Sequence, residues 1–158
     1  MEELKNKDKA CMTSSQKEKL LSTAKTLFGK PYRYGAEPEE APEVFDCSSL
    51  TQYLFKQIGI ELPRNSIAQA GDIKGKEIIP ELDFKNLETG DLLFMRGSQG
   101  YYNDSLFPNK PVYVGHVGMY AGQGKIIHAS SAQGGVTEQN ITELAQRPNY
   151  AISLVKRF

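Results

Sequence analysis

The chain has 158 residues, which is enough for one domain with a substantial core. Its 19 basic and 19 acidic residues balance, so bulk charge gives no basis for binding nucleic acid or a membrane surface. No apolar run reaches the length of a membrane-spanning helix, and two cysteines are too few for a disulfide framework.

The first residues of the chain are polar and charged. We therefore predict a flexible lead over residues 1–13 and a single domain over residues 14–158. Residues 1–9 lack the apolar centre of a signal peptide. Either the protein works in the cytoplasm or its leader is missing from this sequence, and the compartment stays open.

The first predicted helix opens with a capping box formed by Ser15 and Glu18. Apolar residues spaced by three or four give it one apolar stripe, and Gly29 closes it. Pro31 prevents the helix from continuing. A loop over residues 36–43, rich in Glu and Pro, leads to the second helix.

The second helix is predicted within residues 45–59, with Asp46 as its N-cap and Gly59 as the left-handed residue after its end. Cys47 occupies the first helical position, on the same face as three later apolar residues. The helix dipole and the unpaired N–H groups of the first turn favour the thiolate, which is the nucleophilic form. The alternative is a small buried residue at the start of a core helix.

Strands dominate the second half of the chain. In chain order we predict strands over residues 92–95, 112–120, 125–130 and 150–155. The second and third form a hairpin, and a short helix starting at Asn140 or Thr142 precedes the last strand. Because the helices come before the strands, the order favours an α+β fold in which N-terminal helices pack on a central antiparallel sheet.

The only two histidines of the chain, His116 and His128, lie on the two strands of the predicted hairpin. A lone histidine in a strand is usually structural. A nucleophilic thiol, however, needs a base within hydrogen-bond reach, and the base needs a third group to orient it. Facing strand residues have Cβ atoms ~5 Å apart, so His116 and His128 can act together. With Cys47 they supply the three parts of a thiol catalyst.

Six short motifs cover nearly the whole domain, from about Leu20 to Phe158. They are Pro31-Tyr32-Arg33-Tyr34-Gly35, Asp46-Cys47-Ser48-Ser49-Leu50, Leu62-Pro63-Arg64-Asn65-Ser66-Ile67-Ala68-Gln69, Gly90-Asp91-Leu92-Leu93-Phe94, Gly115-His116-Val117-Gly118-Met119-Tyr120 and Ile126-Ile127-His128-Ala129-Ser130. Each motif is weak alone. Together, in this order, they resemble the NlpC-type cell-wall cysteine peptidases of the papain-like superfamily.

The resemblance implies a papain-like α+β hydrolase with Cys47 as nucleophile, His116 as general base and His128 as the residue that orients the base. It implies that the scissile bond joins γ-D-glutamate to a diamino acid in a peptidoglycan stem peptide. The expected partner is therefore a peptidoglycan fragment or stem peptide. We expect no nucleic acid, no membrane span, no cofactor and no metal, and we expect a monomer.

The resemblance also implies substrate contacts. It places Tyr32 near the oxyanion hole, beside the Cys47 N–H, and it places Asp46 and Ser48 in the substrate groove. Arg64 is a further candidate for binding a substrate carboxylate. The alternatives are ordinary aromatic packing for Tyr32, a pure helix cap for Asp46 and a surface salt bridge for Arg64.

The chain departs from the family pattern at two positions, where Ala36 and Ser49 replace glycines. The loops over residues 36–43 and 97–111 are also long for a compact member. These departures remove no catalytic part, but they bear on the substrate. We expect the second loop, which is rich in aromatic residues, to form a wall of the substrate groove; the alternative is an insertion packed on the sheet edge.

Three other functions stay open. The chain could be a papain-like amidase or acyltransferase that acts on another amide or ester. It could be an inactive binding module. It could hold a metal, since Cys, His and Asp are zinc ligands, although the metal-binding spacings C-x-x-C and H-x-x-x-H are absent.

Thiol catalysis also requires a particular hairpin register. Side chains alternate along a strand, so His116 and His128 face the same side only if the turn gives the right parity. We predict a bulged hairpin with an odd loop and with Gly122 or Gly124 at positive φ, which would pair His116 directly with His128.

Overall fold

The computed structural model describes residues 12–98, 105–108 and 111–158. These residues contain four α-helices, α1 Ser14–Thr26, α2 Cys47–Lys56, α3 Ser66–Ala70 and α4 Ile141–Ala145, and the 3-10 turns Pro38–Glu40 and Pro148–Tyr150. The strands are β1 Lys76–Ile78, β2 Leu92–Met95, β3 His116–Gly122, β4 Lys125–Ser130, β5 Gly135–Asn140 and β6 Ile152–Arg157. Among the described helices, none has the length and apolar composition that a bilayer crossing requires.

The strands form one antiparallel sheet in the order β1-β6-β2-β3-β4-β5. Alternation along the strands gives this sheet two apolar faces. One face, which includes Val117 and Met119, packs against α1 and α2. The other, which includes Met95 and Tyr120, is covered by α4. The predicted α+β fold is confirmed, and α2 lies against the middle of the sheet.

The first helix begins one residue before the predicted cap. Thr13 is the N-cap: its Oγ1 accepts the Gln16 N–H, and the Gln16 side-chain oxygen accepts the Thr13 N–H. Met12, just before the cap, is buried in the core. Its methyl group would collide with a Cβ on Gly90, so this glycine makes room for it.

Strands β1 and β5 are not predicted from the sequence. β1 has only three residues, none of them fully buried, and β5 has a single large apolar residue, Val136, in its buried part. Both lie at the edges of the sheet. An edge strand that buries little carries no period-two apolar signal. The last strand also runs further than predicted, to Arg157.

The hairpin of β3 and β4 has a different register from the predicted one. Gly122 pairs with Lys125 around a two-residue turn, and a bulge at Ala121 precedes it, so that Tyr120 pairs with Ile126. Gly122 and Gly124 have positive φ, as predicted, at 90° and 73°. The predicted direct pairing of the histidines is wrong, because this register places them on a diagonal. The diagonal keeps the parity, and the two imidazoles lie on the same side.

Candidate active site

Helix α2 begins at Cys47 because Asp46 caps it. The Asp46 carboxylate accepts the Ser49 N–H at 2.8 Å, and the Ser49 hydroxyl oxygen accepts the Asp46 N–H at 2.9 Å. This reciprocal arrangement is a capping box. Ser49, which departs from the family's glycine, therefore completes the cap beside Cys47.

The Cys47 thiol is nearly buried, with 9% of the residue exposed. Burial raises its pKa to about 11, and a hydrogen bond from the Val117 N–H only partly offsets this effect. The prediction of a thiolate in the resting site is therefore wrong, because the loss of hydration outweighs the helix start. The same hydrogen bond places the sulfur at the beginning of β3, next to His116 along the chain.

His116 and His128 are directly hydrogen-bonded to each other. Nε2 of His116 lies 2.7 Å from Nδ1 of His128, and the ring planes are inclined at 78°. Nε2 of His128 lies 2.6 Å from Oε1 of Gln139, on β5. The predicted contact between the two histidines is present, and β5 extends it by a third side chain.

Both imidazoles are neutral at neutral pH. Burial, followed by the charge of His128, lowers the pKa of His116 to about 3. Burial also lowers the pKa of His128, while its hydrogen bond to Gln139 acts in the opposite direction. The Tyr150 ring packs edge-on against both, with ring centroids 5.5 Å and 6.2 Å away. A neutral imidazole can accept a proton, as a general base must.

Tyr32 is held by its backbone from two sides. Its N–H donates to the Gly134 carbonyl at 3.1 Å, and it forms a bridge with Phe45, two residues before Cys47. Burial, then the charges of Cys47 and Asp46, raise the pKa of the Tyr32 phenol to about 12. The hydroxyl therefore keeps its proton and can act as a donor close to Cys47.

The three predicted substrate-binding residues form one cluster beside Cys47. The Arg64 guanidinium binds the Asp46 carboxylate at 2.7 Å and the Ser48 hydroxyl at 2.9 Å. Asp46 thus serves as both the helix cap and the partner of Arg64. Their contact with a substrate stays a prediction.

A buried glutamine ties this cluster to α2. The Gln69 side-chain amide donates to the carbonyl oxygens of Ser48 and Pro63, at 3.0 Å and 2.8 Å, and its oxygen accepts the Thr51 hydroxyl at 2.8 Å. Gln69 is completely buried. It fixes the segment that carries Arg64 against the first turns of α2.

The long loop is described only in part. Residues 99–104 and 109–110, with Tyr101 and Tyr102, lie outside the described residues. Leu106 packs so closely on the end of α3 that a Cβ on Gly71 would lie 2.9 Å from it. Phe107 packs against the core face that includes Cys47. Whether the loop walls the groove stays a prediction.

Within the described ranges, no three His, Cys, Asp or Glu side chains are grouped closely enough to hold a metal ion. Two residues at the site were not predicted from the sequence, Gln139 and Tyr150. Gln139 lies in the unpredicted strand β5, and Tyr150 ends a 3-10 turn. The tyrosine has no local sequence signal. Gln139 could have been found only by pairing a third strand with β4.

The chain is similar to known proteins over nearly its whole length. The model of the NlpC/P60 family matches residues 29–154. A probable endopeptidase of Corynebacterium glutamicum is 30% identical over 132 residues, which is 84% of this chain and 52% of the relative. The gamma-DL-glutamyl hydrolase of Bacillus subtilis is 36% identical over 119 residues, which is 74% of this chain and 24% of the relative.

Solved structures show the same fold. The peptidoglycan hydrolase RipB of Mycobacterium tuberculosis is 25% identical, with a TM-score of 0.63 over 90% of this chain and 64% of that one. This likeness confirms the predicted papain-like α+β fold. The chain spans about half the length of the Corynebacterium relative and about a quarter of the Bacillus relative.

Proposed function

Since the chain belongs to the NlpC/P60 family of peptidoglycan hydrolases and endopeptidases, we propose that it is a cysteine peptidase that hydrolyses amide bonds in peptidoglycan stem peptides. The nucleophile is Cys47, the general base is His116, and His128 orients the base. The observation that carries this proposal is the hydrogen-bonded histidine pair at the start of β3, where the Val117 N–H binds the Cys47 sulfur.

The proposed reaction follows from these positions. The Cys47 sulfur attacks the carbonyl carbon while its proton passes to His116. The Cys47 N–H, which as the first N–H of α2 has no acceptor within the helix, and the Tyr32 hydroxyl donate to the oxyanion. His116 then protonates the leaving amine as the C–N bond breaks. Water, activated by His116, hydrolyses the thioester and restores the thiol.

A neutral resting pair suits this sequence of steps. Proton transfer then accompanies the attack, because the raised pKa of Cys47 and the lowered pKa of His116 disfavour the ion pair beforehand. Bound substrate displaces water from the site, and its carbonyl oxygen takes up the negative charge as the sulfur attacks. The phenol of Tyr32, with its pKa near 12, remains a donor throughout the cycle.

The scissile bond that we propose joins γ-D-glutamate to the diamino acid of the stem peptide. One relative is named a gamma-DL-glutamyl hydrolase, which supports a γ-glutamyl amide. The Asp46, Ser48 and Arg64 cluster lies beside Cys47 and is the candidate contact for the polar groups of such a peptide. An amidase or acyltransferase acting on another amide or ester would use the same nucleophile and base.

The test is turnover of purified muropeptides, with the products identified by mass spectrometry. We expect cleavage on the carboxyl side of γ-D-glutamate, and we expect Cys47→Ala to abolish it while the variant stays folded. Cys11→Ser, which removes the other cysteine, is the matched control and should retain full activity. Cleavage that survives in Cys47→Ala would contradict the proposal, and transfer of the acyl group to an added amine would identify an acyltransferase.

A further inference from the structure

We propose that Gln139 is a positioning residue that selects which ring nitrogen of His116 acts as the base. The proposal deepens the proposed function and rests on it. It begins from β5, whose register pairs Ile126 with Gln139 and His128 with Thr137. Gln139 and His128 therefore lie on the same side of the sheet, and their side chains meet at 2.6 Å.

The chemistry of the amide oxygen fixes the first tautomer. Oε1 of Gln139 can only accept a hydrogen bond, so Nε2 of His128 must carry a proton. In neutral His128, Nδ1 is then the unprotonated nitrogen. That nitrogen lies 2.7 Å from Nε2 of His116 and must accept from it. His116 therefore carries its proton on Nε2, and Nδ1 is left free to take a proton from the thiol.

Burial makes this relay dependent on Gln139. His128 is completely buried, so bulk water cannot replace the amide oxygen readily. Without an acceptor at Nε2, His128 gains by moving its proton to Nδ1. The proton on Nδ1 of His128 would then point at Nε2 of His116, which would have to accept it. His116 would carry its own proton on Nδ1, so this nitrogen could no longer act as the base. A triad whose orienting group fixes the wrong tautomer loses most of its activity.

The neutral amide also has a consequence that a carboxylate would not have. Gln139 orients His128 without adding a negative charge to the pair. Burial therefore keeps both imidazoles neutral in the resting enzyme, and the base is available over a wide pH range. Replacing the amide by a carboxylate should keep the tautomer but favour the imidazolium form of the pair.

The experiment is NMR of the full chain labelled with ¹⁵N-histidine. Because the chain has two histidines, it gives only two sets of imidazole signals. In the wild type we expect the Nε2–H tautomer at both His116 and His128. Gln139→Leu, which keeps the volume and removes the acceptor, should move His116 toward the Nδ1–H tautomer. It should also lower kcat on muropeptides by about tenfold or more, with KM changed less than twofold.

Two further variants keep the proposal falsifiable. Gln139→Glu keeps the acceptor and should restore the tautomer and most of kcat, while the acid limb of the pH profile moves to higher pH. Gln133→Leu makes the same chemical change on the exposed turn before β5 and should leave tautomers and kcat unchanged. An unchanged His116 tautomer in a folded Gln139→Leu variant would overturn the proposal. A kcat of Gln139→Leu no lower than that of Gln133→Leu would overturn it too.

The tautomers are measured without substrate, so the two proposals fail separately. A tautomer change in a protein that cleaves no muropeptide supports the role of Gln139 and refutes the proposed substrate. Cleavage together with an unchanged tautomer supports the proposed function and refutes the role of Gln139.

Discussion

The chemistry of Cys47 depends on burial more than on its place at a helix start. With its pKa raised to about 11, the thiol should react slowly with iodoacetamide at neutral pH, because only the thiolate is nucleophilic. We expect the alkylation rate of a Cys11→Ser variant, in which Cys47 is the only thiol, to rise continuously from pH 6 to pH 10. The rate is measured by mass spectrometry of the intact protein.

An ion pair between Cys47 and His116 would give a different curve. Thiolate would then persist in mild acid, and the alkylation rate would be flat between about pH 5 and pH 8. Such a plateau, abolished by His116→Asn, would contradict the neutral resting pair. The alkylation rate of a small unfolded peptide containing the Cys47 sequence is measured at the same pH values. Comparing the two rates separates the accessibility of the thiol from its ionisation.

His116 also links stability to pH. Its pKa falls from an ordinary 6.5 to about 3 in the folded protein, so between these values the unfolded chain binds the proton and the folded one does not. Stability is therefore present above pH 6.5 and is lost as the pH falls toward 3, by up to about 1.4 kcal/mol per pH unit for one proton. His116→Asn should flatten this dependence in urea unfolding. Equal slopes in the two proteins would refute the shift.

Single residues were predicted best where chemistry limits the choice. Cys47 and the two histidines stand out because a thiol needs a base and the chain has only two imidazoles. The pKa of Cys47 was predicted in the wrong direction, since hydration depends on what the chain packs around the thiol. The histidine contact was predicted, while its partner Gln139 required knowledge of a strand that buries little.

At the scale of elements, the lack of a side chain at Gly118 on β3 lets the Ile126 and His128 side chains of β4 pack over it. A Cβ on Gly118 would lie 2.5 Å from Cδ1 of Ile126 and 3.1 Å from Cβ of His128. Gly118→Ala should therefore displace His128 and lower the unfolding free energy by roughly 1–3 kcal/mol, the usual cost of overpacking. Activity and urea unfolding measure the two effects.

A second change distinguishes packing from chemistry at this position. Ile126→Val in the Gly118→Ala background removes Cδ1, the closest clash, but keeps Cγ1 at 2.8 Å from the new Cβ, so we expect only part of the stability to return. The contact with His128 remains, so activity should recover less than stability. Recovery of both in parallel would mean that Gly118 only makes room for Ile126.

Regular elements with a buried face were predicted from the sequence, and those without one were not. The apolar patterns of α2, β2 and β4 are strong, and capping or turn residues mark where these elements begin and end. β1 and β5 bury too little to show a pattern, so the sheet was predicted with too few strands. The common side of the two histidines was predicted from the needs of catalysis, and the bulge and the positive φ of the turn glycines are present, but the loop length and the exact register were predicted wrongly.

At the scale of the whole molecule, one buried ion pair joins the end of the chain to the start of β2. Arg157 donates to both carboxylate oxygens of Asp91, at 2.7 Å and 2.8 Å, and Asp91 is completely buried. Asp91→Asn leaves the arginine with a poorer partner, and we expect it to cost about 2–4 kcal/mol in urea unfolding. Asp83→Asn, which breaks the exposed pair with Lys85, should cost less than about 0.5 kcal/mol. Equal costs would contradict the structural role.

The backbone around Tyr32 joins the two halves of the chain. Gly29 and Tyr32 donate to the carbonyls of Val136 and Gly134, and Val136 donates back to Lys30. The early segment therefore covers part of the outer edge of β5, and contacts so distant in sequence form late in folding. During synthesis, Tyr32 leaves the ribosome long before the strand that holds it. A growing chain therefore lacks the backbone support of Tyr32, the proposed oxyanion donor, until β5 has emerged, so the proposed hydrolytic activity should begin only after β5 has been synthesised.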